Sequence, residues 1–171
     1  MTRLRTLIAC AGAAVTLAGC GLHPLYSGGS SGTVATTLAQ VDVAPIEGKA
    51  GWLTANALRD RLHTTPGGAA RYRLEVKLDD RIIGLGIRRD DSISRERRTL
   101  RARYQLVDLS NGAVLLDAAA RSDAGIDSVR SEYGTIAAEN TALERLSQIV
   151  ADQIITRVAT YVSRSEDRAA R

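Results

Sequence analysis

The chain has 171 residues, 23 basic and 19 acidic side chains, a formal charge of +4, and 44% hydrophobic but only 4% aromatic residues. That length suits one domain with its own core, and so mild a basic excess gives no argument for nucleic acid. The two cysteines stand at positions 10 and 20, so nothing after Cys20 supplies a disulfide framework, a thiolate metal site or a cysteine nucleophile.

Residues 1–19 read as a secretory leader. Arg3 and Arg5 form a basic start, Thr6 to Leu17 an apolar run, and Leu17-Ala18-Gly19-Cys20 a lipobox with small residues before the cysteine. The apolar run falls well short of the roughly 20 residues a spanning helix needs. The expectation is cleavage before Cys20, acylation of its thiol, and a mature chain whose charge drops to +2 as Arg3 and Arg5 leave. Residues 20–35 are then a lipidated N-terminus and tether. Ser27-Gly28-Gly29-Ser30-Ser31-Gly32 has linker composition, whereas Leu22-His23-Pro24-Leu25-Tyr26 is apolar enough to pack on something.

A single domain is expected over 36–163. Leu38 to Ile46 reads as a strand, with Val41 and Val43 alternating against Gln40 and Asp42 and Pro45 near its end. Trp52 to His63 reads as a helix, since Ala55, Leu58 and Leu62 share one face. The clearest strand follows, with Tyr72, Leu74, Val76 and Leu78 alternating against Arg71, Arg73, Glu75, Lys77 and Asp79. Gly84 and Gly86 mark a bend or bulge near its end. Arg97 to Leu109 repeats the alternation, Asn111-Gly112 suggests a tight hairpin, and Ala113 to Arg121 returns. From about Ser131 to Ser163 the period becomes helical, through Leu143, Leu146, Val150, Ile154 and Val158. Residues 164–171 read as a charged, frayed tail. The order β-α-β-β-β-α implies an α+β, two-layer sandwich: a four-stranded mixed sheet with two helices on one face and the other face bare.

Chemistry-bearing patterns are scarce. His23 and His63 lack partners at metal-ligand spacing. Gly84-Leu85-Gly86 lacks the third glycine and the strand-to-helix setting of a dinucleotide loop. No metal, no cofactor and no enzyme activity are expected. One segment stands out: Arg88, Arg89, Arg95, Arg97, Arg98, Arg101 and Arg103 outnumber Asp90, Asp91 and Glu96 by four. Arginine's planar fork suits carboxylates and phosphates. Arg101 and Arg103 share the wet face of their strand, about 6.6–6.8 Å apart by strand rise. Two readings stand side by side, a solvated face with internal ion pairs and a surface for an acidic glycolipid or acidic protein.

With Cys20-Gly21-Leu22-His23-Pro24-Leu25-Tyr26 after the lipobox, Val41-Asp42-Val43-Ala44-Pro45-Ile46, Tyr72-Arg73-Leu74-Glu75-Val76, the arginine-rich strand and the long final helix, the chain resembles the LPS-assembly lipoprotein LptE family in its alphaproteobacterial-like form. The resemblance covers the mature chain. It implies a helix-on-sheet domain lipid-anchored through Cys20 on the periplasmic side of the outer membrane. It also implies a partner, an LptD-like β-barrel that such proteins plug, and a role in delivering lipopolysaccharide to the cell surface. Gly21 stands where inner-membrane retention is associated with aspartate. The competing reading is an auxiliary lipoprotein of an ABC-type lipid transport system, which shares a lipobox, an α/β domain and a Tyr-Arg-Leu strand.

Overall fold

The computed structural model describes residues 32–62, 70–87, 93–127 and 131–169. The leader, Cys20, the tether up to Ser31, His63, Arg88 and Arg89 lie outside the described residues.

The elements are α1 (Thr33–Leu38), β1 (Val41–Val43), α2 (Gly48–Leu62), β2 (Tyr72–Ile87), β3 (Ile93–Asp108), β4 (Val114–Asp127) and α3 (Glu132–Ala169). The four strands form one mixed sheet in the order β1-β2-β3-β4. β1 runs parallel to β2, with Val41 opposite Tyr72, while β2/β3 and β3/β4 are antiparallel. The expected α+β sandwich is therefore present, with one additional helix.

Period-2 alternation explains the layering. Leu74 and Val76 of β2, Leu100, Ala102, Tyr104 and Leu106 of β3, and Ala120 of β4 all face one side and are buried. Against them lie Leu58 and Leu62 of α2 and Leu143, Leu146, Val150, Ile154 and Val158 of α3, each no more than 1% exposed. Burying one such side chain stabilises by about 1.5–3 kcal/mol, so this single layer carries the fold.

Several element boundaries differ from the expectation: α2 begins at Gly48 rather than Trp52, β3 at Ile93 rather than Arg97, and β4 runs on to Asp127 rather than Arg121. The segment read as a strand from Leu38 is a short helix up to Leu38 and then only three strand residues. Its threonines are poor helix formers, but Val34 packs on the core, Leu38 is buried, and the Thr36 hydroxyl donates to the Thr33 carbonyl at 3.0 Å. The β2/β3 hairpin runs well past the helix-covered core, and the Gly84/Gly86 irregularity is the expected bulge in its register. Beyond Ser163 the final helix continues through Ala169 rather than ending in a frayed tail.

Asn111-Gly112 does close the β3/β4 hairpin, but through a four-residue loop. Asp108 N–H donates to the Ala113 carbonyl at 2.9 Å and Gly112 N–H to the Asp108 carbonyl at 2.8 Å. Gly112 takes φ +72°, a left-handed conformation that favours glycine. A register shift follows between Leu106 and Val107.

Candidate functional site

The face of the sheet that no helix covers is a mosaic of charge. Odd-numbered residues of β2 from Arg73 to Ile83 are exposed there, as are Arg95, Arg97, Arg101 and Arg103 of β3 and Asp117, Arg121, Asp123 and Asp127 of β4. Strand parity puts every second residue of β3, and with them four of its five arginines, on this face; the cross-strand register then decides which of them meet an acid.

Three meet an aspartate of β4. Arg95 Nε lies 3.0 Å from Asp127, Arg97 Nε 4.0 Å from Asp123, and Arg103 3.1 Å from Asp117. Gln105 also donates to Asp117, at 2.9 Å. The Arg103 guanidinium, followed by Gln105, holds the Asp117 carboxyl below the usual carboxylate range. These acids come from β4 and not from Glu96; Asp90 and Asp91 lie outside the described residues.

Arg101 is different. Its cross-strand neighbour is Arg121, so two guanidinium-bearing residues stand directly opposite each other, an arrangement that repels. Among the described residues no acid comes within ion-pair distance of either. Asp79, on the other side of Arg101, is engaged by Arg81 at 2.9 Å. Shallow depressions flank the pair, one of about 290 Å³ bordered by Thr99 and the Asp79–Arg81 ion pair and one bordered by Ala119 and the Asp117–Arg103 ion pair. An anion seated here would meet two forks and would relieve their repulsion.

Arg98 lies on the other face. It is buried against α3 and grips Asp80 with two hydrogen bonds, 2.9 and 2.6 Å, while Nη1 donates to the Glu139 carbonyl at 2.8 Å. The bond to Asp80 raises its pKa despite burial. This arginine ties the sheet to the start of α3 and is closed to a ligand. Arg88 and Arg89 lie outside the described residues. The structure thus brings Arg95, Arg97, Arg101 and Arg103 onto one face, turns Arg98 away, and adds Arg121, which was not nominated. The alternation of Asp117, Arg121 and Asp123 against Leu116, Ala118 and Ala120 would have found it. No group of three metal-ligating side chains occurs among the described residues, and no helix there is long and apolar enough to cross a membrane.

A family model described as "LptE: Lipopolysaccharide-assembly" matches residues 38–158, which span the sheet, α2 and most of α3. Among solved structures, a candidate lipoprotein from Caulobacter crescentus is similar at 25% identity and TM-score 0.66, over 76% of this chain and 96% of that one. A minor lipoprotein from Acinetobacter baumannii is similar at 13% identity and TM-score 0.53, over 70% and 91%. Lipoprotein B from Nitrosomonas europaea is similar at 15% identity and TM-score 0.53, over 73% and 88%; these two likenesses speak to the fold. No curated protein sequence gives a significant match.

Proposed function

We propose that this chain, which belongs to the LptE lipopolysaccharide-assembly family, is a non-enzymatic outer-membrane lipoprotein acylated on Cys20. It works with an LptD-type barrel as plug and assembly partner in the delivery of lipopolysaccharide. The observation that carries the reading is the family match, which covers the whole sheet and most of the helical layer. The open sheet face adds a physical rationale. A barrel lumen is polar and wet, and a stiff sheet backed by a packed helical layer offers it a polar surface. On that surface Arg101 and Arg121 are the cations best placed to receive the phosphates of a glycolipid, with Arg95, Arg97 and Arg103 around them. The match to a lipopolysaccharide-assembly family favours this role over that of an ABC-transporter auxiliary lipoprotein.

Gentle detergent extraction of the native lipoprotein, followed by mass spectrometry, should recover a large outer-membrane β-barrel and a diacylated or triacylated Cys20. Recovery of an inner-membrane permease instead would select the alternative reading. Arg101→Glu with Arg121→Glu should weaken lipopolysaccharide binding about tenfold or more, two charge-assisted contacts of about 1.5–3 kcal/mol being removed, with an unchanged melting temperature. Undiminished binding would remove the site while leaving the family role in place.

A further inference from the structure

The sheet has two outer edges, and they are finished differently. Along β4 the Arg121 amide points outward and donates to Gln153 of α3 at 3.1 Å, so the final helix closes that edge at its middle. The other edge is shared between β1 and β2. β1 pairs with β2 only from Tyr72 to Leu74. The seam ends with the Ala44 amide donating to the Leu74 carbonyl at 3.0 Å, and the chain then leaves the sheet towards α2. From there on β2 is itself the edge. Backbone polarity repeats every second residue along a strand. The Tyr72 amide and the Leu74 carbonyl point away from β3, so the N–H and C=O groups of Val76, Leu78 and Asp80 do the same. Among the described residues none of these groups has a hydrogen-bond partner. A groove of about 490 Å³ lies alongside, between Ala44 to Glu47 and Glu75 to Leu78.

An open strand edge is a template for another strand, and the charges along this one select which. On the uncovered face Glu75, Lys77, Asp79 and Arg81 alternate in sign, and all four are exposed. Laid antiparallel on a copy of itself, such a strand can meet opposite charge throughout. With Leu78 facing Leu78 of the copy, Glu75 meets Arg81 and Lys77 meets Asp79, each twice. Registers one step away are repulsive. Centred on Lys77, the pairing sets Lys77 against itself and Glu75 against Asp79; centred on Asp79, it sets Asp79 against itself and Lys77 against Arg81. A register centred on Val76 is blocked by β1, which holds Leu74. One centred on Asp80 keeps only the Asp79–Arg81 contacts and opposes Asp80 to its own copy. Within one chain Lys77 stands opposite Arg103, and among the described residues neither Lys77 nor Glu75 has an ion pair.

We propose that the open edge of β2 pairs antiparallel with the same edge of a second copy of this chain, about a two-fold axis at Leu78. The pairing goes beyond the barrel role and does not depend on it. Val76, Leu78 and Asp80 of the two copies supply about six main-chain hydrogen bonds. Arg81 of the copy arrives where Glu75 and Glu47 border the groove. Leu78 lies on the helix side, packed against the core, so the two-fold axis keeps both helical layers on one side. The two four-stranded sheets then run on as one, with the uncovered faces continuous. A strand pair this short buries less than the roughly 1,600 Å² of a standard interface. The dimer is therefore weak and reversible, with a dissociation constant of about 10 μM or above.

The test uses the full mature chain with Cys20→Ser, so that neither an acyl chain nor a disulfide joins copies. Sedimentation equilibrium should show a monomer–dimer equilibrium. Hydrogen exchange should slow with concentration at the Val76, Leu78 and Asp80 amides and stay constant at Lys77 and Asp79, which face β3. Lys77→Glu by itself sets like charges opposite each other, and so does Asp79→Lys by itself. Each should weaken the dimer about tenfold or more, whereas their equimolar mixture should recover it, the altered positions then facing each other with opposite charge. Arg145→Glu, the same change of charge on α3, should leave the dimer as strong as before. A monomer up to about 1 mM, a dimer indifferent to the edge variants, or a mixture no tighter than its components would overturn the proposal. So would protection of the edge amides only in the presence of a co-purified barrel, which would give the edge to a barrel strand. If a variant fails to fold, the exchange pattern of the unaltered edge decides: slowing confined to the three outward amides supports self-pairing, and its absence overturns it.

Discussion

At Gly51 a single absent methyl group decides how closely α2 approaches the preceding segment. A Cβ built there would stand 2.5 Å from the Ile46 carbonyl oxygen and 2.7 Å from its carbon. Gly51→Ala gains up to about 1 kcal/mol in helix propensity but meets backbone that has no rotamer to yield, an overlap of about 1–3 kcal/mol. The overlap should win, and a lowered urea midpoint is expected; a raised midpoint would mean the segment shifts freely. The arginines of β3 allow a sharper contrast, because neighbours in sequence have opposite surroundings. Arg98→Ala strands the Asp80 carboxylate and the Glu139 carbonyl at a mostly buried site, where the Arg98 and Asp80 side chains are 11% and 25% exposed. The expected loss is about 1–3 kcal/mol. Arg101→Ala removes one member of a like-charged pair and should leave stability unchanged or higher by a few tenths of a kcal/mol. Equal losses from both, measured by denaturant titration, would contradict the assignment of their faces.

Among the elements, the β3/β4 hairpin shows how a turn controls a surface. A two-residue Asn111-Gly112 turn would pair Arg101 with Ser122 and send Arg121 to the helix side. The four-residue loop and the shift between Leu106 and Val107 instead set Arg101 opposite Arg121, so the unpaired double cation exists because of a bulge. A one-residue slip exchanges every side chain between faces. Here the slip would expose Ala120, which is buried, and core burial is what holds the register. Asp108 stiffens the loop by accepting from the Ser110 amide at 2.8 Å and from its hydroxyl at 2.6 Å. Gly112→Ala should cost about 1 kcal/mol, the φ of +72° being strained for any residue with a Cβ. A comparison of melting temperatures checks this, and an unchanged value would place the strain elsewhere.

Across the whole molecule, large apolar side chains are exposed at the end opposite the one that receives the chain. Ile82, Ile83 and Leu85 project from the far part of the β2/β3 hairpin, while Tyr133 and Ile136 lie exposed near the start of α3. Stability against pH is also a property of the whole chain. Asp108 is held low by the Ser110 hydroxyl and amide, and Asp117 by Arg103 and Gln105. A depressed folded value means that these groups stabilise fully above the unfolded aspartate value of about 3.9. They stabilise progressively less as pH falls below it, through the folded values. The urea midpoint should therefore hold from pH 7 to about 5 and drop towards pH 3, with a shallower drop in Asp117→Asn. Identical slopes in the two proteins would assign the acid loss to other carboxylates.

Much of this was legible in the residues alone. Alternation in Tyr72 to Leu78 and Leu100 to Leu106, and the helical spacing from Leu143 to Val158, identified the strands, the long helix and the one-sided sheet. Those patterns are local consequences of burying one face. The arginine-rich segment was also visible, as was the wet side of Arg101 and Arg103. What tertiary structure decided was pairing. Whether an arginine is an ion-pair member, a tie to a helix or a free cation depends on which strand lies opposite and in which register, and that is settled by core packing across the sheet. So Arg98 was claimed by Asp80 and Arg103 by Asp117, and Arg121 joined Arg101.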